Sequence, residues 1–570
     1  MKRLVWVFAI LFAIAVGAAL LGYALRAGSP TALGGAQVLR LELSGDLEEA
    51  APVTGFTLPG FERPMSFATV YTALVAARTD ARIKGLEVSI DDPDFGLAKA
   101  QELRDLLTSL AAHGKPVRCY MDSAGEGSNG TLDYYVASAC GHLTLSPAGE
   151  VNLLGLFLDS SFLRGALEKL KIEATYAHAG KYKSAPETFT EYAFSPSARE
   201  ALDALLDSEF AQLVAGVATA RKLPAEQVRA LIDRAPLTAE TALAEKLVDA
   251  LAYPDEFRAA NLAAFGSAPR VLELADYSPP STLGGRRVAV VFAAGTIVRG
   301  RGGEQPWTRE RYVGSQSLAE ALGAVAEDDG VDAVVLRVDS PGGSALASDL
   351  IQRQIVKLQE KKPVVVSMAD LAASGGYYIA ARAKKIVAEP ATLTGSIGVF
   401  AGKISTRRFQ QELLGVSHDS LQRGANADFY GGLDPLDADQ AARFSAAVEH
   451  TYQRFLSVVS TGRAMPREAV DGVAQGRVWT GEDARKAGLV DELGGLERAI
   501  ELAGELAGFG EGEAVALEFK PDAPSLFEAL FSRREAALPS SLSGLLEALA
   551  PRPTQALELP AEFARLARPF

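Results

Sequence analysis

Along the chain, near-continuous apolar runs alternate with stretches of helical spacing. VDAVVLRV, from Val331, is a run of the kind buried on both faces of a parallel sheet. DSPGG, from Asp339, breaks it. Leu350 to Leu358 (LIQRQIVKL) then has helical spacing, and PVVVSM, from Pro363, reads as a second buried strand. Strand, turn, helix and strand make a βαβ crossover, right-handed by default. Short strands and helices continue through KKIVAE and Phe409 to Leu414. The predicted class is α/β. In an open α/β sheet the chemistry sits at the carboxyl ends of strands, and both DSPGGS and DLAASGG fall there.

The same pattern occurs earlier, about 250 residues upstream (Val38 against Val288). VLRLELSGDL, from Val38, matches VAVVFAAGTI, from Val288. IKGLEVSIDDPDFG, from Ile83, matches VDAVVLRVDSPGGS, from Val331, and HGKPVRCYMD, from His113, matches KKPVVVSMAD, from Lys361. TLDYYVASACGHLTLSPAGEVNLLG, from Thr131, lies without a gap on SGGYYIAARAKKIVAEPATLTGSIG, from Ser374. Identities are few, but their order and the shared double tyrosine indicate two copies of one domain.

One apolar run has a different character. Leu4 to Leu25 carries no charge over 22 residues, long enough to cross a bilayer core of about 30 Å at 1.5 Å per residue. Lys2 and Arg3 precede it, which places the short tail in the cytoplasm. A cleaved signal peptide would have a shorter apolar region and a clean A-x-A site, so an uncleaved signal anchor is expected, with everything after Arg26 outside the cytoplasm.

Composition narrows the function classes. A length of 570 residues implies two or more domains, and 48% hydrophobic with 22% charged residues describes globular protein. A net charge of −14 with no dense basic run argues against nucleic acid as a partner. Five histidines, none in a zinc-hydrolase spacing, argue against a metal hydrolase, and no cofactor is expected. The two cysteines, Cys119 and Cys140, read as buried small hydrophobes rather than as a disulfide framework.

The copies have lost different residues. Where the second has Ser374-Gly375-Gly376, the first has Thr131-Leu132-Asp133. Where the second has Ser340-Pro341-Gly342-Gly343, the first has Asp92-Pro93-Asp94-Phe95. Conversely, HAGKYKSAPETFTEYAFSP, from His178, carries Lys181 and Lys183, while its counterpart LQRGANADFYGGLDP, from Leu421, has Ala425 and Ala427. A composite site shared between the halves accounts for both losses. Taken singly, Ser374 reads equally as a helix N-cap, DSPGGS as a type II turn, and the lysines as a solvated pair. Taken together they suit acyl transfer. A serine hydroxyl needs a base, and lysine serves when burial disfavours its charged form. The oxyanion needs two backbone N–H donors, here Gly375 and one of Gly342 or Gly343. Ser374 is read as the nucleophile. An extended segment would point Lys181 and Lys183 to the same face, so geometry does not choose between them.

DSPGGS, AASGGYY, TLTGSIGVF, AGKYKSA and SPSARE together resemble the long, duplicated form of signal peptide peptidase A, also called protease IV. The resemblance runs from about Leu4 to Leu502. It implies two tandem domains of the ClpP/crotonase-like fold, a Ser–Lys dyad of Ser374 and Lys183, and Ser396 as a serine placed to hold the lysine. It also implies a homotetramer on the outer face of the bacterial cytoplasmic membrane, anchored in lipid by its N-terminal helix and acting on signal peptides and other apolar peptides. The expected organisation is an anchor over residues 1–26, a lysine-bearing repeat over 36–275, a serine-bearing repeat over 285–510 and an extension over 511–570, where similarity is weak. An acyl-CoA enzyme of the crotonase type and a non-catalytic membrane scaffold are the alternatives.

Overall fold

A computed structural model describes residues 36–50, 65–266, 269–280, 285–304, 310–510, 512–520 and 556–557. The expected anchor at Leu4–Leu25 lies outside them. No helix among the described residues is long and apolar enough to cross a membrane.

The α/β duplication is present strand for strand. In the first repeat Ala250–Leu251, His142–Leu145, Val117–Met121, Ile83–Pro93, Gln37–Gly45 and Arg270–Glu273 form one sheet in that order, every pair parallel. In the second, Glu492–Leu493, Lys385–Ala388, Val364–Ala373, Ala333–Ser340, Arg286–Ala294 and Val515–Lys520 repeat the order, again with every pair parallel, and the antiparallel pair of Leu393–Gly395 with Val478–Thr480 matches Glu150–Val151 with Leu237–Thr238 of the first. The edge strand Val515–Lys520 carries the second sheet past the boundary expected at residue 510.

Details recur with the fold. Tyr134 and Tyr377, the second-copy match, are both buried and donate to Leu247 O at 2.8 Å and Leu489 O at 2.9 Å. Two helices of 26 residues, Pro196–Arg221 and Ala438–Arg463, end in left-handed caps at Lys222 and Ala464. Each sends its last arginine to an aspartate that also accepts a strand amide: Arg221 to Asp249, and Arg463 to Asp491. Such agreement in buried hydrogen bonds is stronger evidence of duplication than the sparse identities.

Buried charge joins the two repeats. Arg337, fully buried, reaches Glu49 at 2.8 Å and Glu102 at 2.7 Å, and donates to Ser367 Oγ at 2.8 Å. Lys99 Nζ lies 3.1 Å from Glu49. Asp370 of the second repeat accepts from Gly96 N at 2.9 Å and Lys99 N at 2.7 Å, capping helix Leu97–Ala112 of the first. These are charge-assisted bonds, and none is legible from either repeat alone.

The cysteine reading is corrected: Cys119 and Cys140 form a disulfide, their Cα atoms 5.9 Å apart and 21 residues distant in sequence. The parallel pairing of Val117–Met121 with His142–Leu145 brings the two sites together. The matching second-copy positions hold Val366 and Ala383, both buried, so the bridge occupies ordinary core space.

Candidate active site

Ser374 ends the strand Val364–Ala373 and precedes the helix Gly375–Ala380. Its backbone has φ 55° and ψ −114°, a costly conformation for a residue with a side chain. Two bonds impose it: Ser374 N donates to Gly395 O at 2.8 Å, and Ser374 O accepts from Tyr378 N at 2.8 Å. At the matching position of the first repeat, Thr131 begins an ordinary helical turn. The serine side chain is not a helix cap, so the plain N-cap reading is set aside.

Lys183 comes to this serine from the other repeat. Strand Glu173–Ala179 leaves the first repeat and pairs antiparallel with Val399–Ser405 of the second. The chain then turns at Gly180, Tyr182 N donates to Gln475 O at 2.8 Å, and Lys183 follows into the interior. Lys183 is 2% exposed. Its Nζ donates to Ser374 Oγ at 3.0 Å, Ser396 Oγ at 2.9 Å and Ser396 O at 3.3 Å. Ser396 is itself buried, with φ 49°, and is held by its backbone, Ser396 N donating to Arg477 O at 2.7 Å. Opposite it in the first repeat stands the buried Leu153.

The two lysines do not share a face, contrary to the expectation from an extended segment. Residues 181–182 form a turn, which reverses the alternation on which that expectation rests. Lys181 is exposed, with Nζ 4.3 Å from the Tyr182 ring centroid, and the Tyr182 hydroxyl beside it raises its pKa. Structure therefore separates a surface lysine from a buried one.

The glycine pair is also resolved. Gly342 N donates to Ser340 Oγ at 3.2 Å, so that amide is already engaged. Gly343 N lies 3.1 Å from where a Cβ on Gly375 would stand, so the amides of Gly343 and Gly375 are neighbours. Gly343 has φ 144°, and a Cβ there would strike the Ile297 backbone. Only glycine fits.

One contributor escaped the sequence reading. Gly476, with φ 77°, lies so close to the lysine loop that a Cβ would stand 2.6 Å from both Lys183 N and Lys183 Cβ. Gly398, in TGSIG, faces Gly476 in the same seam. An isolated glycine in AQGRVW carries no local signal for a contact almost 300 residues away along the chain; a glycine-to-lysine-loop docking is visible only in three dimensions.

The arrangement is a serine, a buried amine within hydrogen-bond reach, and two adjacent backbone amides. Among the described residues no group of His, Cys, Asp and Glu is arranged to hold a metal. The model of peptidase family S49 matches the chain twice, over residues 109–263 and 356–510. The chain belongs to peptidase family S49. Both matches fall within the two repeats, as duplication requires. Among S49 relatives, the chain is 34% identical to the chloroplastic serine protease SPPA of Arabidopsis thaliana, over 85% of this chain and 70% of that protein. It is 34% identical to Protease 4 of Salmonella typhi, over 86% and 79%, and 32% identical to Protease 4 of Haemophilus influenzae, over 82% and 78%. A solved structure of ClpP1 from Listeria monocytogenes is 16% identical over 36% of this chain and 91% of that one, with a TM-score of 0.22. As a family S49 member the chain is a serine peptidase.

Proposed function

We propose that the chain is a membrane-anchored endopeptidase in which Ser374 is the nucleophile and Lys183 the general base. The observation that carries this is the 3.0 Å contact between Lys183 Nζ and Ser374 Oγ in a buried site built from both repeats. Burial disfavours an ammonium, so the neutral amine is the competent form. Lys183 takes the serine proton as Oγ attacks a peptide carbonyl. The amides of Gly375 and Gly343 then face the developing oxyanion. Lys183 passes its proton to the leaving amine, and water hydrolyses the acyl-enzyme by the same route in reverse. Ser396 positions the amine through its hydroxyl and carbonyl. A crotonase-type acyl-CoA enzyme needs no lysine on the serine, and a scaffold needs neither.

The substrate class follows from the resemblance to signal peptide peptidase A: signal peptides and other apolar peptides, met at the outer face of a bacterial cytoplasmic membrane. The uncharged run Leu4–Leu25 would supply a single-pass anchor, and the Cys119–Cys140 bridge suits an oxidising compartment. Self-association has support in the repeat geometry. Glu173–Ala179 of the first repeat pairs with Val399–Ser405 of the second, while the exposed loop around Leu421, itself 92% exposed, presents an apolar side chain to solvent. A second copy covering Leu421 head to tail makes the kind of contact that closes into a ring. A homotetramer is the form proposed.

Labelling by a serine-reactive acylating probe tests the chemistry. Modification of the intact protein at Ser374, lost in Ser374→Ala and in Lys183→Ala, is the expected result; labelling that survives both sinks it. Light scattering of the wild type and of Leu421→Asp tests the assembly.

A further inference from the structure

SPSARE, from Ser195, takes no part in the chemistry of the dyad, yet it lies against the lysine loop. It opens the helix Pro196–Arg221, with Ser195 Oγ accepting from Ala198 N at 3.1 Å as the N-cap. Ser195 also donates to the Glu187 carboxylate, from its N at 3.0 Å and its Oγ at 2.7 Å. In the next turn, Glu200 Oε1 accepts from the Tyr182 hydroxyl at 2.7 Å and from Arg477 Nη1 at 2.9 Å. The start of this helix therefore fastens the loop on both sides of Lys183, at Tyr182 and at Glu187.

Arg477 brings the second repeat into the same group. Its Cζ lies 4.9 Å from the centroid of the buried Tyr182 ring and 4.6 Å from that of Trp479, within cation–π range of both. Its carbonyl accepts from Ser396 N, and the Ser396 hydroxyl meets Lys183 Nζ. Nearby, Gln475 O accepts from Tyr182 N at 2.8 Å. The Tyr182 hydroxyl and the Arg477 guanidinium hold the Glu200 carboxyl below the usual carboxylate range, so it is charged at neutral pH. The second repeat supplies the contrast. Its matching helix, Ala438–Arg463, starts from the N-cap Asp437, and where the first has Glu200 it has the exposed Ala442. The half that lacks the lysine also lacks the acid.

We propose that Glu200, Tyr182 and Arg477 form a clamp between the repeats that positions Lys183 against Ser374. The inference rests on the peptidase reading above. These are positioning residues, acting through the lysine and through Ser396. Exposed ion pairs contribute little by themselves, but this one closes over a buried ring next to the base.

The test is steady-state turnover of an apolar fluorogenic peptide across pH, with thermal unfolding measured on the same samples of the full chain. Tyr182→Phe deletes one hydroxyl and changes no charge. It should lower kcat about fivefold with little change in KM, and move the acid limb of the kcat profile to higher pH, because a looser loop admits water and eases protonation of the amine. Glu200→Ala should lower kcat about tenfold or more, and Glu200→Gln, whose amide oxygen still accepts from Tyr182, should recover most of that loss. Arg164, Glu168 and Tyr192 make a similar trio within the first repeat alone, with the guanidinium 4.7 Å from the ring centroid, and serve as the control. Glu168→Ala should stay within about twofold of wild type. Unchanged kcat in Tyr182→Phe and Glu200→Ala, an effect on KM alone with the profile unmoved, or an equal loss in Glu168→Ala overturns the clamp and leaves the peptidase reading standing. Full turnover in Lys183→Ala fails the peptidase reading first, and the clamp with it.

Discussion

The two repeats share a sheet order, a long helix of 26 residues and a buried tyrosine that donates to the matching leucine carbonyl, Leu247 O in one and Leu489 O in the other, yet they differ at each position of the site. The second repeat keeps Ser374, its strained backbone and the glycines that let two amides meet, while the first has Thr131, Leu132 and Phe95 there. The first repeat keeps Lys183 on a loop that docks across the seam. Its second-repeat counterparts, Ala425 and Ala427, sit exposed in an irregular loop. Ser396 faces the lysine where the first repeat buries Leu153. Duplication freed each half to keep one component, and the fold brings those components together only at the interface. A site divided in this way ties chemistry to correct docking of the halves.

The largest expected effect comes from removing either half's contribution. Ser374→Ala and Lys183→Ala should each lower kcat by about 10³-fold or more, with unchanged thermal unfolding for the serine variant. Lys183→Arg should not rescue, because a guanidinium stays protonated, whereas Lys181→Ala should remain within about threefold of wild type. Turnover should rise with pH as Lys183 loses its proton and fall away below that transition. Steady-state kinetics with an apolar peptide decides. An essential Lys181 beside a dispensable Lys183 would break the comparison at its centre.

How far the sequence led is clearest at these residues. Ser374, the lysine-bearing segment 181–183 and the glycine pair stand out in the sequence because each half has lost what the other kept, a contrast needing only a gapless register. The choice between Lys181 and Lys183 was not legible from spacing, since a turn at residues 181–182 cancels strand alternation; the motif resemblance made it. Nor was the Cys119–Cys140 bridge, since 21 residues of separation say nothing about which strands will be neighbours. Gly476 and the partners of Arg337 belong to contacts between repeats, where local pattern has no purchase.

The seam itself gives the next effect. Arg337 stands where the first repeat has the half-buried Ser89, and it holds two glutamates of that repeat in a fully buried network. Arg337→Ala would leave Glu49 and Glu102 without their guanidinium, at a cost of about 3–5 kcal/mol. Thermal unfolding should drop sharply, and activity should be lost at temperatures where the repeats still hold secondary structure by circular dichroism. A variant as stable as wild type would show that the repeats dock by apolar packing alone.

Smaller losses should follow at the glycines. Gly375→Val would crowd Ser348 and Gly343, and Gly476→Ala would press on the Lys183 backbone at a φ of 77°. The first should lower kcat by about 10²–10³-fold, the range for losing one oxyanion donor. The second should act through the lysine: lower activity, a displaced pH profile, and little change in peptide KM. Unchanged turnover in Gly375→Val would remove that amide from the oxyanion assignment.

The smallest effect is the most specific to the comparison. Glu209, in helix Pro196–Arg221, is buried and faces Asp370 across the seam; at the matching turn of helix Ala438–Arg463 the second repeat has Thr451, half-buried and bonded to its own helix at Ala447 O. Burial, with Asp370 adding to it, raises the Glu209 carboxyl to about 8 from 4.5. A raised acid binds its proton more tightly when folded than when unfolded, so wild-type stability should decline as pH rises from about 4.5 through about 8 and stay low above that. Glu209→Gln removes this slope while keeping the shape of the side chain. The variant should match wild type near pH 5 and unfold at a higher temperature near pH 9, by a stability difference on the order of 1 kcal/mol or more. Melting curves across that range test the sign. Equal curves at every pH would mean that Glu209 pays no cost for ionising, and that the seam around Asp370 is wetter than its burial suggests.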